Sequence, residues 1–441
     1  MENRNDNEMM DERRLERRKR RRRNQIAAYA GVVLVLAVLG VGLFLGIRSL
    51  TRLLKENMNR QEETETEVVE TTQEDTLPEE ETETEIVEYT EEDLLNEVVE
   101  SCISEMTLED KVAGLFIVTP EAITGTNQAV KAGDGTKEAL DKYPVGGLVY
   151  FKQNIQSQDQ ITEMLANTVS MSKYPIFLAV DEEGGKVTRV AEALKLDNVG
   201  KMQAIGETGD SNNAYTAYQT IGTYLCQYGF NLDFAPVADV LTNPDNTAIG
   251  ERSFGSDAQV VSSMVSSAVG GLKDTGITAC LKHFPGQGGA DGDTHEGLAS
   301  TQRTLEEMRE TEFKPFQAGI EAGAQMIMVG HISAPQVTGD NTPSSLSKMI
   351  VTDILRGELN YDGVVITDAL NMSAISEYYG SDEACIKALK AGCDMLLMPE
   401  DFEAAYEGVI AAVKDGTISE ERIDDSLARV YRIKYAGTIK E

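Results

Sequence analysis

From about residue 91 onward the chain alternates two kinds of text. Short apolar runs are separated by longer stretches in which apolar side chains recur every three or four positions. The runs are AGLFIVT (113–119), GGLVYF (146–151), PIFLAVD (175–181), LDFAPVADV (232–240), ITACLKHF (277–284), AQMIMVGH (324–331), GVVITDA (363–369) and DMLLMPE (394–400). Short β-rich runs with few polar positions are what strands buried on both faces of a parallel sheet require. The stretches between them have helical spacing. In TLEEMRETEFKPFQAGIEAG (304–323), Met308, Phe313, Phe316 and Ile320 fall at such intervals and predict one helix. Eight strands separated by helices predict a (β/α)₈ TIM barrel occupying 91–441 as one domain. The rival arrangement is a doubly wound sheet, and against it no glycine-rich loop of the GxGxxG kind follows the first strand.

Residues 1–90 follow other patterns. Residues 1–25 end in the cationic run RRLERRKRRRRNQ, and 26–47 read IAAYAGVVLVLAVLGVGLFLGI without a charge. About 20 apolar residues span a bilayer core, so 26–47 predict a transmembrane anchor. The basic cluster places 1–25 in the cytoplasm and the rest of the chain outside, because Arg48, Arg52, Lys55 and Arg60 on the other flank are fewer and more dispersed. Residues 48–90 form an acidic linker rich in Glu and Thr, which has too little apolar surface to fold and self-repels into an extended tether. The expected location is therefore the cell membrane, single-pass, with the folded domain extracytoplasmic.

Charge and cysteine content narrow the functional classes. Over 441 residues the formal net charge is −34, which argues against a nucleic-acid partner, since phosphate backbones need a positive face. The five cysteines (Cys102, Cys226, Cys280, Cys385 and Cys393) include no CxxC pair, which disfavours a zinc site or a disulfide framework. Cys226 and Cys280 sit in apolar text and read as small buried hydrophobes.

In a barrel of this kind the C-terminal strand ends face the active site, and here they are polar: Asp181, Asp239, Lys282 with His283, His331, and Asp368. The chain has only three histidines, His283, His295 and His331, and all three fall at or just after predicted strand ends. Asp368 closes the run GVVITDA. It reads either as a helix N-cap for the residues that follow or as a fixed carboxylate able to attack an anomeric carbon. In the loop GQGGADGDTHEG (286–297), Asp293 and His295 lie two apart. A carboxylate that accepts from one imidazole nitrogen leaves the other free for proton transfer, although the same DxH spacing also occurs in metal sites. The glycines are expected to let the loop close over substrate.

LKHFPGQGGADGDTHEGL (281–298) resembles the signature loop of glycoside hydrolase family 3 β-N-acetylhexosaminidases, with its KHFPGHG, a short gap and D-S/T-H. VDEEGGKVTR (180–189), NLDFAPVADV (231–240), GERSFGSD (250–257) and GVVITDALNM (363–372) extend the resemblance in order over the whole folded region. It implies a retaining exo-β-N-acetylhexosaminidase acting on terminal β-linked GlcNAc of glycans or peptidoglycan fragments, with no cofactor. It implies Asp368 as nucleophile and Asp293 with His295 as the acid/base dyad. Asp181, Arg189, Arg252, Lys282 and His283 would contact the terminal sugar. Glu182 and Glu183 are read as loop anchors, and a barrel salt bridge is the alternative for Arg252. The competing activities are a family 3 β-glucosidase, a β-GlcNAc phosphorylase and a non-catalytic glycan-binding protein. Two departures from the pattern are Gln287, where the family usually has a second His, and an extra glycine in the gap.

Overall fold

The computed structural model describes residues 90–436, in which eight parallel strands close into a barrel. In chain order they are β1 (Phe116–Val118), β2 (Gly147–Val149), β3 (Phe177–Val180), β4 (Leu232–Asp233), β5 (Thr278–Phe284), β6 (Met326–Val329), β7 (Val364–Thr367) and β8 (Leu396–Leu397). Each pairs in parallel with its successor up to β7. The ring closes where Phe116 registers with Leu396 and where Ile366 bridges Met395. Each of these eight barrel strands lies inside one of the eight apolar runs; a small antiparallel pair, Glu182–Gly184 with Val187–Thr188, lies outside them.

Side-chain alternation explains why those runs are apolar throughout. Ile117, Val149, Phe177, Ala179, Met328 and Ile366 pack together inside the barrel. Their neighbours Phe116, Val118, Leu148, Leu178 and Val365 belong to the second, larger cluster that includes the surrounding helices. Successive side chains leave a strand on opposite faces, and both faces are covered. Helices begin where a side chain satisfies the first free N–H groups: Asp257 accepts from Gln259 and Val260 ahead of Ala258–Lys273, and Ser419 accepts from Arg422 ahead of Glu420–Tyr435.

Three expectations need correction. The helix predicted over 304–323 is two, Leu305–Glu310 and Phe313–Glu321, because Thr311 leaves helical geometry at φ −132°, ψ −72°. The break places Glu312 in the interior, ion-paired to Arg303 and accepting a hydrogen bond from Thr242. Cys226 is exposed on the helix Ser211–Tyr228, whereas Cys280 is buried inside the barrel as expected, and all five cysteines are free thiols. The strand in 232–240 is only two residues long; beyond it Pro236, which has no N–H, follows a cis peptide, and the chain runs beside β5 through scattered bonds such as Ala238 N–H to the Lys282 carbonyl.

The segments 1–25 and 26–47, and the linker up to Tyr89, lie outside the described residues. Among the described residues no helix is long and apolar enough to cross a membrane. Thr90 caps the first described helix, Glu91–Ser104, in a reciprocal capping box with Asp93.

Candidate active site

A cavity of about 450 Å³ opens at the C-terminal ends of the barrel strands, lined among others by residues at the ends of β2, β3, β5, β7 and β8. All eight residues that the resemblance assigns to catalysis or sugar contact line it: Asp181, Arg189, Arg252, Lys282, His283, Asp293, His295 and Asp368; the strand-end residues Asp239 and His331 do not. Their convergence from sequence positions nearly two hundred residues apart follows from the topology, because parallel strands deliver every C-terminal end to one face.

Asp368 follows β7 directly. Its carboxylate accepts from the Ala369 N–H at 2.8 Å, and its own N–H donates to the Val329 carbonyl at 2.9 Å. It is not a helix cap: the next helix, Ser373–Ser376, is preceded by Met372 and has no side-chain cap. Burial pushes the Asp368 carboxyl up. His283, His331, the Ala369 N–H and Lys282 outweigh burial and hold it below the ordinary aspartate value. The group is therefore an anion at neutral pH in a confined site, as a nucleophile must be.

Beside it lies a buried ion network. Arg252 grips Glu183 with both Nε and Nη2 at 2.8 Å, and Lys282 Nζ stands 2.6 Å from both Glu183 and Asp181. Burial raises the Glu183 carboxyl, but the two cations overcome it and keep the group well below the usual carboxylate range. For Lys282 burial works against the charged form, and Asp181 and Glu183 more than restore it, so its pKa is raised. Arg252 thus makes the salt bridge considered for it and lines the cavity as well. His283 is fixed from behind: its Nδ1 lies 2.7 Å from Asp239, which also accepts from the His283 and Gln287 backbone N–H groups. Its Nε2 faces Arg252 at 3.3 Å. Arg189 makes no ion pair among the described residues; its guanidinium lies over the Phe151 ring, and its Nε is buried without a partner in the protein. A free donor of this kind suits a ligand hydroxyl.

The loop after β5 carries Asp293 and His295. The Asp293 carboxylate takes the His295 Nδ1 at 2.8 Å and the His295 backbone N–H at 2.9 Å from the same oxygen. Burial opposes the charge on Asp293, but these contacts, with Arg252 farther off, hold its pKa below the ordinary value. With Nδ1 engaged, Nε2 is the nitrogen left to exchange protons with a ligand. The imidazole side chain is 66% exposed, so it is open to the cavity rather than part of the core. No group of three or more His, Cys, Asp or Glu among the described residues is arranged to hold a metal ion.

Glu182 is a loop anchor, as expected. It is buried, does not line the cavity, and accepts from the Val190 and Ala191 N–H groups and the Tyr224 hydroxyl. Glu183 differs, since it reaches the cavity through its two cations. His331 stands just behind the site: Nε2 donates to the Ala369 carbonyl at 3.0 Å, leaving Nδ1 to accept from the Ser345 hydroxyl at 2.8 Å. Lys186, Thr247, Asn371, Met372 and Met398 also line the cavity and were not anticipated. Met398 directly follows β8, at a strand end of the kind the sequence marks; the other four lie on loops without that signal, and only folding reveals which loop residues face inward.

Comparison with known proteins follows the same lines. Residues 107–433 match the family model for the glycosyl hydrolase family 3 N terminal domain. The beta-hexosaminidase of Stenotrophomonas maltophilia (strain K279a) is 36% identical over 279 residues, covering 62% of this chain and 82% of its own length. Beta-hexosaminidase A of Pseudoalteromonas piscicida is 32% identical over 326 residues, 67% of this chain and 54% of the relative, so the chain spans little more than half of that protein. Among solved structures, a family 3 β-N-acetylglucosaminidase from Paenibacillus sp. str. FPU-7 aligns with a TM-score of 0.70 and 35% identity, over 76% of this chain and 64% of that one.

Proposed function

The chain belongs to glycosyl hydrolase family 3, and we propose that it is a retaining exo-β-N-acetylhexosaminidase that releases terminal β-linked GlcNAc from glycans or peptidoglycan fragments. Asp368 attacks the anomeric carbon as His295 Nε2 gives its proton to the departing oxygen. A covalent glycosyl-enzyme forms, and the neutral imidazole then removes a proton from water as that water displaces Asp368. Asp293 accepts from Nδ1–H throughout and stabilises the imidazolium. Asp181, Arg189, Arg252, Lys282 and His283 hold the sugar hydroxyls, the carboxylate accepting and the cations donating. What carries the reading is one conjunction: a buried, charged Asp368 and a carboxylate-held, open imidazole line the same cavity. A relative named beta-hexosaminidase and a solved structure of a family 3 β-N-acetylglucosaminidase support the choice of sugar.

The proposal extends to location. Residues 26–47 cross the cell membrane with 1–25 in the cytoplasm, and 48–90 tether the barrel outside. The support is the uncharged apolar run and the one-sided basic cluster in the sequence.

The test is leaving-group dependence. A nitrophenolate departs with little help, whereas a sugar alkoxide needs a proton in the transition state. His295→Ala should lose roughly a hundredfold to ten-thousandfold on a GlcNAc disaccharide and far less on the p-nitrophenyl glycoside. Asp293→Asn should show the same ordering more mildly. Equal losses on both substrates would make His295 structural. Product release from a panel of p-nitrophenyl β-sugars, with and without phosphate, separates the hexosaminidase from the glucosidase and phosphorylase activities.

A further inference from the structure

The loop that carries the dyad is built in two halves. At its base the glycines are there for close packing: a Cβ on Gly288 would stand 2.0 Å from the Val240 carbonyl oxygen, and one on Gly286 would stand 2.7 Å from the Glu312 side chain. Asn246 adds bonds from its amide to the carbonyls of Gln287 and Ala290. This base has no freedom to swing. Gly292 and Gly297 are different. Like Gly286 they have positive φ, at 93° and 148°, but a Cβ on Gly297 would meet nothing within 4 Å, and one on Gly292 only ordinary contacts at 3.6 Å. The four residues between them are Asp293, Thr294, His295 and Glu296. Freedom expected of the whole glycine-rich loop is thus confined to a short flap bearing the acid/base pair.

Within that flap Thr294 is fully buried, while His295 and Glu296 are exposed. Its hydroxyl accepts from Gln287 Nε2 at 3.3 Å, and its carbonyl accepts from the Ala374 N–H at 3.3 Å, just beyond Asp368 in the chain. Gln287 is itself 3% exposed, and its Oε1 has no donor in the protein. Gly330 leaves the room that this amide fills, since a Cβ there would lie 3.3 Å from Oε1. A half-satisfied buried amide is a poor choice for mere filling, where an aliphatic side chain costs less. Its one side-chain bond goes to the residue between the dyad members. Its backbone N–H donates to Asp239, the carboxylate that fixes His283.

We propose that Thr294 and Gln287 form a latch that holds the flap down and so positions His295 over the cavity. Neither touches the reacting atoms; they act through the fraction of time the imidazole spends in place. The proposal rests on His295 being the acid/base, and the experiment separates the two. Thr294→Val keeps the shape and removes the acceptor, Gln287→Leu removes the donor, and Thr294→Ser restores the hydroxyl. Amide hydrogen exchange over 291–298 reads the latch without reference to activity. It should quicken about three- to tenfold in Thr294→Val and Gln287→Leu, the span of one ordinary hydrogen bond, and stay at the wild-type rate in Thr294→Ser. The double variant should exchange no faster than either single one, because the two remove the same bond. Hydrolysis of the GlcNAc disaccharide should fall by a similar factor in both single variants while the p-nitrophenyl glycoside is nearly unaffected. Unchanged exchange in both single variants, or additive effects in the double variant, would overturn the latch. Faster exchange with equal losses on both substrates would keep the latch and instead sink His295 as proton donor.

Discussion

Glu183→Gln offers a test of which carboxyl groups in the cavity can be catalytic. Glu183 lines the cavity with a carboxyl group beside the proposed sugar contacts, so it competes with His295 for the proton-donor role. Its surroundings argue the other way. Arg252 and Lys282 keep it ionised, and a general acid must hold a proton near working pH. Removing its charge should therefore act on stability and sugar binding, not on leaving-group departure. The side chains of Glu183, Lys282 and Arg252 are 1%, 3% and 11% exposed, which makes this a buried cluster. Breaking a buried pair from one side costs about 3–5 kcal/mol. Lys282 would keep Asp181 at 2.6 Å and Arg252 would keep the Ala248 carbonyl at 3.0 Å, which places the loss near the lower end, about 3 kcal/mol. For a domain of about 350 residues that lowers Tm by roughly 4 °C. The assays are thermal unfolding and steady-state kinetics on both substrates. KM should rise on both by a similar factor as Arg252 and Lys282 lose their fixed geometry. An unchanged Tm would refute the buried-network reasoning. A loss confined to the disaccharide would make Glu183 the acid.

Asp368→Asn should cost at least about a thousandfold in rate with the fold intact, since it removes the attacking charge; a 2-fluoro sugar should label Asp368, and labelling of Glu183 or Asp239 instead would reassign the nucleophile. Burial lowers the pKa of His331, so the unfolded chain takes up a proton more readily than the folded one. The resulting stability is full above the unfolded value of about 6.5 and is lost as pH falls through the lower folded value. Tm should accordingly decline below about pH 6.5, and His331→Gln should flatten that part of the curve; parallel curves for the two proteins would refute it. Protease added to intact, wall-stripped cells should remove the domain beyond Gln61, and complete protection would reverse the proposed orientation.

The barrel was legible in the sequence because its strands are buried on both faces. Such strands leave unbroken apolar runs, and the polar residues that end them, from Asp181 to Asp368, stand out against that background. The contact between Asp293 and His295 was legible because it is local: the two are two residues apart, and a short Asp side chain reaches both the backbone and the imidazole of residue i+2 without help from the fold. What the sequence left undetermined depends on contacts between segments far apart. Glu183 reads as a loop anchor like its neighbour Glu182 until the barrel brings Arg252 and Lys282 against one and helix N–H groups against the other. Asp368 was equally an N-cap or a site carboxylate until the next helix began at Ser373 instead. The burial of Glu312, the outward turn of Cys226 and the close packing of Gly286 and Gly288 at the base of the glycine loop were settled in the same way. Each is decided by which neighbour occupies the adjoining space, and tertiary packing alone fixes that.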